Sequence, residues 1–201
     1  METEDFNDIC FFGARDVDDA SKQLLNFYWF KNGFSKEECE QIVTTAQKFY
    51  EQVGGTTFGA GSDFRKSTVR WLTPSSKTQW IFEKLKNFVK EANSIFTLDI
   101  TGFTEYLQFT EYEGAGTKYG YHVDVGPRNW HRKLSIVVQL SDPSEYQGGD
   151  LNISTGGNVM TPEKDLGNVI IFPSILQHEV LPIISGNRYS LVSWVSGPAW
   201  R

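Results

Sequence analysis

The chain is expected to fold as a mainly β protein, a sandwich or jelly roll preceded by two supporting helices. Three observations predict this. Two segments in the first half carry apolar residues at helical spacing. From Gly102 onward, short apolar runs alternate with glycine-rich turns. The 201 residues, 39% hydrophobic and 14% aromatic, suffice for one domain with a sizeable core and argue against disorder.

The first helix starts at a capping-box pattern, Ser35 followed by Glu38. Cys39, Ile42, Val43, Ala46, Phe49, Tyr50 and Val53 then fall on one face, and Gly54-Gly55 is expected to end it. The second helix is expected from about Ser76 to Asn93, with Trp80, Ile81, Leu85, Phe88, Val89 and Ala92 inward. The strands expected are Glu105–Tyr112, Ser135–Leu140, Leu151–Ile153, Asn168–Phe172 and Tyr189–Val195. Turn signals separate them at Glu113-Gly114-Ala115-Gly116, Gln147-Gly148-Gly149, Thr155-Gly156-Gly157 and Pro173-Ser174. No repeat or linker divides the chain, so 1–201 reads as a single domain, helical support over about 1–100 and β core over about 101–198.

Charge and cysteine content exclude several function classes. The net charge is −6 with no dominant basic patch, so nucleic acid is not an expected partner. No apolar stretch approaches the roughly 18 residues of a membrane span. The acidic start METEDFNDIC lacks the basic and apolar regions of a secretory signal. Cys10 and Cys39 form no CxxC pattern, and no disulfide framework is expected. A reducing, cytoplasmic location follows.

The chemistry is expected to reside in Tyr121-His122-Val123-Asp124. In an extended strand, residues two apart share a face, so His122 and Asp124 can bind one metal. His178 follows 54 residues after Asp124, just past an expected strand. Two imidazoles and one carboxylate make the facial triad that holds non-haem iron(II) and leaves positions open for O2 and a chelating co-substrate. Arg188, ten residues after His178, is placed to bind a distal carboxylate through its planar fork. Gly114, Gly116 and Gly120 are expected to form a mobile loop over the mouth. His131 reads as a loop histidine, and Gly126–His131 matches no pattern.

From about Gly33 to Trp194 the chain resembles the prolyl 4-hydroxylase branch of the iron(II)/2-oxoglutarate oxygenases, above all the compact hypoxia-sensing type and its microbial relatives. His122-Val123-Asp124, His178 and Arg188 carry the resemblance. It implies a double-stranded β-helix core, Fe(II) as cofactor, 2-oxoglutarate and O2 as co-substrates, and ascorbate as an accessory. It implies hydroxylation of prolyl residues in a peptide or protein partner, with release of succinate and CO2. It further implies that Tyr112 bonds the co-substrate carboxylate and that Trp194 lines the pocket wall. Arg65, Trp71 and Arg132 match positions that shape the peptide groove. Gly148-Gly149-x-Leu151 matches a structural turn. Gln139 stands where close relatives carry a second co-substrate tyrosine. Three alternatives remain open on sequence: the same chemistry on a free amino acid, another small molecule or a nucleobase; a metal-binding sensor domain without turnover; and a structural jelly roll in which the HxD pair and His178 are coincidental. Arg188 argues against the last two, because metal binding alone does not require it.

Overall fold

A computed structural model describes residues 27–54, 63–155 and 157–200. Cys10, Gly55 and Gly156 lie outside them. In chain order the elements are β1 (Tyr28–Phe30), α1 (Lys36–Ala46), β2 (Glu51–Val53), β3 (Arg65–Lys66), β4 (Thr68–Leu72) and α2 (Gln79–Phe96). Then come β5 (Leu107–Glu113), β6 (Lys118–His122), β7 (Arg132–Gln139), β8 (Tyr146–Gly148) and β9 (Leu151–Ser154). Last are β10 (Val159–Met160), β11 (Val169–Pro173), β12 (Gln177–Val180) and β13 (Ile183–Ser196).

Two antiparallel sheets face each other. The larger runs β1-β11-β7-β13-β5-β4-β2, with β8 also paired to β13. The smaller runs β10-β9-β12-β6-β3. This is a double-stranded β-helix, and alternation along the large sheet explains its layers. Leu107, Phe109, Leu134, Ile136, Val138, Leu191 and Val195 point outward and bury the helices. Tyr112, Val137, Ile170 and Phe172 point the other way, toward Leu151, Ile153 and Val180 of the small sheet. The site lies on that inner face.

Both helices are supports. Ser35 and Glu38 form the reciprocal capping box. Helix α2 buries Ile81, Leu85, Val89 and Ala92, the face expected from spacing. Its start lies three residues later than expected, because Thr78 closes a turn through Thr73 and Ser75 carbonyls first.

The end of α1 corrects the sequence reading. The helix stops at Ala46, not at Gly54-Gly55. Phe49 still packs on the core, but Tyr50 and Val53 are exposed. Glu51–Val53 is instead an edge strand on β4, tied by Arg70 to the Glu51 carboxylate (2.8 Å) and the Phe49 carbonyl (2.9 Å). The expected glycine loop also changes. Gly114 and Gly116 turn with φ of +77° and +82°, but Gly120 lies inside β6. A Cβ at Gly120 would meet Phe64 at 2.9 Å, so the glycine serves packing. Among the described residues, no helix is long and apolar enough to cross a membrane.

Candidate metal centre and active site

His122 and His178 are direct register partners on neighbouring strands β6 and β12. Antiparallel pairing therefore puts both imidazoles on one face, with ring centroids 4.2 Å apart. The extended strand expected to carry Asp124 ends at His122. Asp124 sits in the bend two residues on, where its N–H donates to the Ser174 carbonyl at 3.1 Å. Its carboxylate oxygens lie 3.7 Å from His122 Nε2 and 3.5 Å from His178 Nε2. Ligand atoms of the three residues all fall within 4.8 Å of one another.

Protonation favours metal binding. His122 Nδ1 faces the Gly120 carbonyl at 2.8 Å, and His178 Nδ1 faces the Leu176 carbonyl at 3.0 Å. A carbonyl only accepts, so in the neutral ring Nδ1 carries the hydrogen and Nε2 is the nitrogen with the lone pair. Burial, reinforced by His178, pushes the His122 imidazole down to about 4, so it is neutral at physiological pH. Burial opposes ionisation of Asp124, but His178, His122, the Ser135 hydroxyl and Arg132 outweigh it and hold the carboxyl at about 2.

A cavity of about 450 Å³ extends from these three residues. The expected residues Arg65, Trp71, Tyr112, Arg132, Arg188 and Trp194 all line it. Sheet register explains the gathering: Arg188 pairs with Tyr112 across β13 and β5, and Trp194 pairs with Ser135 across β13 and β7. Gln139 lies behind the lining and accepts a hydrogen bond from Arg188 Nη2 at 3.0 Å. Arg188 is 1% exposed, yet its Nε and Nη1 have no hydrogen-bond partner among the described residues. The Tyr146 hydroxyl is buried beside Arg188; burial chiefly depresses its acidity, against the opposing effect of that guanidinium.

The two arginines expected at the peptide groove both line the cavity and are engaged within the protein. Arg65 is 9% exposed, bonds Ser67 Oγ at 2.9 Å and lies over the Tyr119 ring. Arg132 is 8% exposed and gripped by both Glu105 oxygens, at 2.7 and 2.5 Å. Its guanidinium stacks 3.6 Å from the Trp194 ring centroid and reaches the Asp124 carbonyl at 3.4 Å. So committed, Arg132 holds Asp124 in place and has little to offer a peptide. His131 lies outside the His-Asp-His cluster and sits 3.4 Å from Glu105. Glu105, Ser135 and Tyr146 were not singled out from sequence. No local pattern marks them, since their partners lie 11 to 42 residues away.

The comparisons agree with this geometry. A model of the 2OG-Fe(II) oxygenase superfamily matches residues 107–196, the span from β5 through β13. A PKHD-type hydroxylase of Gloeothece citriformis (strain PCC 7424) is 35% identical over 165 residues, covering 79% of this chain and 72% of that one. The chain belongs to the 2OG-Fe(II) oxygenase superfamily. A second PKHD-type hydroxylase, from Synechococcus sp. (strain CC9605), is 47% identical over 85 residues, 40% of this chain but only 37% of the relative. Among solved structures, a prolyl hydroxylase from Trichoplax adhaerens, in complex with a hypoxia inducible factor oxygen degradation domain peptide fragment, superposes with a TM-score of 0.72. It covers 86% of this chain and 84% of that one at 18% identity, a likeness of fold.

The oxygenase is thus a 2-oxoglutarate-dependent dioxygenase, with Fe(II) as cofactor and 2-oxoglutarate and O2 as co-substrates. The residues present fit these groups. Two imidazoles and a carboxylate are the donor set of such iron. The unpartnered donors of Arg188 are what a buried carboxylate would satisfy.

One prediction arises from the support of Asp124. Glu105→Gln removes the countercharge of Arg132 and leaves that cation beside the Asp124 carboxylate. We expect divalent-metal affinity to fall about 10–100-fold, the range for lost outer-shell partners. Titrating Mn(II) into metal-free protein checks this, and unchanged affinity would assign the pair to stability alone.

Proposed function

We propose that this oxygenase hydroxylates prolyl residues in a peptide or flexible protein segment. The observation that carries the reading is the shape of the site. The cavity is within the roughly 300–1,000 Å³ that takes up a small ligand, yet its mouth is framed by exposed Gln52, Val53 and Arg128. That shape suits a co-substrate inside and a chain segment passing over the rim. The PKHD-type relatives and the peptide-bound neighbour support the same reading.

In this reading His122, Asp124 and His178 hold the iron. Arg188, fixed by Gln139, holds the far carboxylate of 2-oxoglutarate, with Tyr112 and Tyr146 as hydroxyl donors. Burial raises both phenols, so they stay protonated and can donate. The iron, with 2-oxoglutarate and O2, supplies the oxidation: one oxygen atom enters a substrate C–H bond, and the other leaves in succinate as CO2 is released. The chain orients the reactants and excludes water. Trp71, Val137, Val180, Val192 and Trp194 form the apolar wall, and Arg65 with Trp71 flanks the path of the peptide.

We read the chain as one oxygenase domain working in the cytoplasm. Cys39 is buried and its thiol is pushed up to about 12 by burial, an inert group suited to a reducing compartment. The test is a library of peptides with proline in varied contexts, read by a mass gain of one oxygen that depends on 2-oxoglutarate. Peptides containing proline are expected to gain it, and the same peptides with alanine in its place are not. Efficient oxidation of a free amino acid or nucleobase, with no peptide turned over, would replace the prolyl reading.

A further inference from the structure

The cavity has a charge pattern that the reaction alone does not use. Its lining holds four arginines, Arg65, Arg128, Arg132 and Arg188, and one acid, Asp124, in a chain whose net charge is −6. Three of the arginines have work to do. Arg132 is neutralised by Glu105, Arg65 bonds Ser67 and covers Tyr119, and Arg188 lies on the buried floor against Gln139. Arg128 differs. It is exposed, and no carboxylate among the described residues lies within ion-pair distance of it.

The position of Arg128 is fixed by its loop. The loop leaves Asp124 and enters β7 at Arg132, and Arg128 sits midway. Asn129 N–H donates to the Gly126 carbonyl at 3.0 Å, and Arg132 N–H donates to the Asn129 carbonyl at 3.2 Å. His131 is held on both sides, its ring near Glu105 at 3.4 Å and its carbonyl accepting from Gly197 N–H at 2.9 Å. Pro127 restricts the backbone further. A pinned turn of this kind keeps an arginine at the rim without a partner, which costs less when a ligand supplies one.

The charge balance sets the ligand's sign. Iron(II) would bring two positive charges, and 2-oxoglutarate would bring two negative ones, so together they cancel. Glu105 cancels Arg132, and Asp124 offsets Arg188. Arg65 is engaged within the protein, so Arg128 is the cation of the lining that faces outward with no carboxylate at ion-pair distance among the described residues. An arginine is cationic throughout the physiological range, and its planar fork matches a carboxylate.

We propose that Arg128 is a specificity-determining residue that binds a carboxylate on the substrate, so that the preferred substrate segment carries an acidic side chain near the reacting residue. This deepens the prolyl reading and rests on it for the identity of the reacting residue, but not for the charge preference. The resemblance places Arg132 at the peptide groove; that side chain is held by Glu105, and the exposed cation lies four positions earlier.

The test uses proline-containing peptides that differ only in carrying Glu, Gln or Lys at positions flanking the proline. Two readouts are taken on the full chain: oxygen transfer with Fe(II) and 2-oxoglutarate, and peptide binding to the Mn(II)- and 2-oxoglutarate-loaded protein. Wild type is expected to favour the Glu peptide in both. Arg128→Ala should raise its KM about tenfold, the low end for a hydrogen bond to a charged group at a partly exposed site. The change should fall on KM much more than on kcat, because the contact is remote from the reacting bond. Arg128→Glu should reverse the order and favour the Lys peptide. Salt should raise the KM of wild type for the Glu peptide and leave that of Arg128→Ala nearly flat. Equal use of Glu and Gln peptides by wild type, or a Glu preference that survives Arg128→Ala, would overturn the inference and leave prolyl hydroxylation intact. Arg128-dependent binding of the Glu peptide with no oxygen transfer to any proline would do the opposite. Neither binding nor transfer would overturn both.

Discussion

Asp124→Ala is expected to abolish metal-dependent turnover while leaving the protein folded. Asp124 is the single carboxylate of the His-Asp-His cluster, and its oxygens face both imidazoles. Its loss leaves two nitrogen donors and no negative charge to offset a divalent cation. The fall in metal affinity should therefore exceed the roughly 100-fold that marks the upper end for outer-shell partners. The fold should survive because the surrounding bonds do not all depend on this side chain. Arg132 keeps its two bonds to Glu105, and Ser135 keeps its bond to Ser174 at 2.9 Å. Metal titration, uncoupled decarboxylation of 2-oxoglutarate and thermal unfolding separate the two outcomes. His122→Ala and His178→Ala should behave alike. A variant that retains wild-type metal affinity and turnover would remove its residue from the cluster.

How much of this site was legible in the sequence depends on how local each relation is. The capping box of α1 and the buried face of α2 were readable, because each is a pattern within one helix. The end of α1 was not. Phe49, Tyr50 and Val53 continue a helical period, but Arg70, some twenty residues on, recruits Glu51 and the Phe49 carbonyl into a sheet edge. Strand β4 was missed although Thr68-Val-Arg-Trp-Leu72 is rich in strand formers, and β12 was missed because four residues give too short a period. His122, Asp124, His178 and Arg188 were legible through residue type and spacing. Their register was not: nothing in the chain before folding says that His122 pairs with His178 or Tyr112 with Arg188. The groove arginines show the same limit. The family resemblance suggested Arg132, and only the contact with Glu105, 27 residues upstream, reveals that its fork is taken.

Arg188→Ala is expected to raise the KM for 2-oxoglutarate by about one to two decades, with metal affinity nearly unchanged. A hydrogen bond to a charged group contributes roughly 1.5–3 kcal/mol, which converts to that range. The geometry favours the upper part of it. Arg188 is almost wholly buried, so solvent screens its charge little. Gln139 already fixes Nη2, while Nε and Nη1 remain for the ligand, so little ordering is lost on binding. Gly149 keeps the guanidinium stem in place: a Cβ there would meet Arg188 Cδ at 2.9 Å. Arg188→Lys should recover part of the affinity, since charge returns without the fork. Stability gives an independent reading. Among the described residues no carboxylate pairs with Arg188, and a buried cation without a countercharge is costly, so Arg188→Ala should not lower the melting temperature of the protein alone. 2-Oxoglutarate with Mn(II) should raise the melting temperature of wild type, because a ligand that binds only the folded state stabilises it, and should raise that of Arg188→Ala much less. An equal rise in both proteins, together with an unchanged KM, would place the distal carboxylate on other residues.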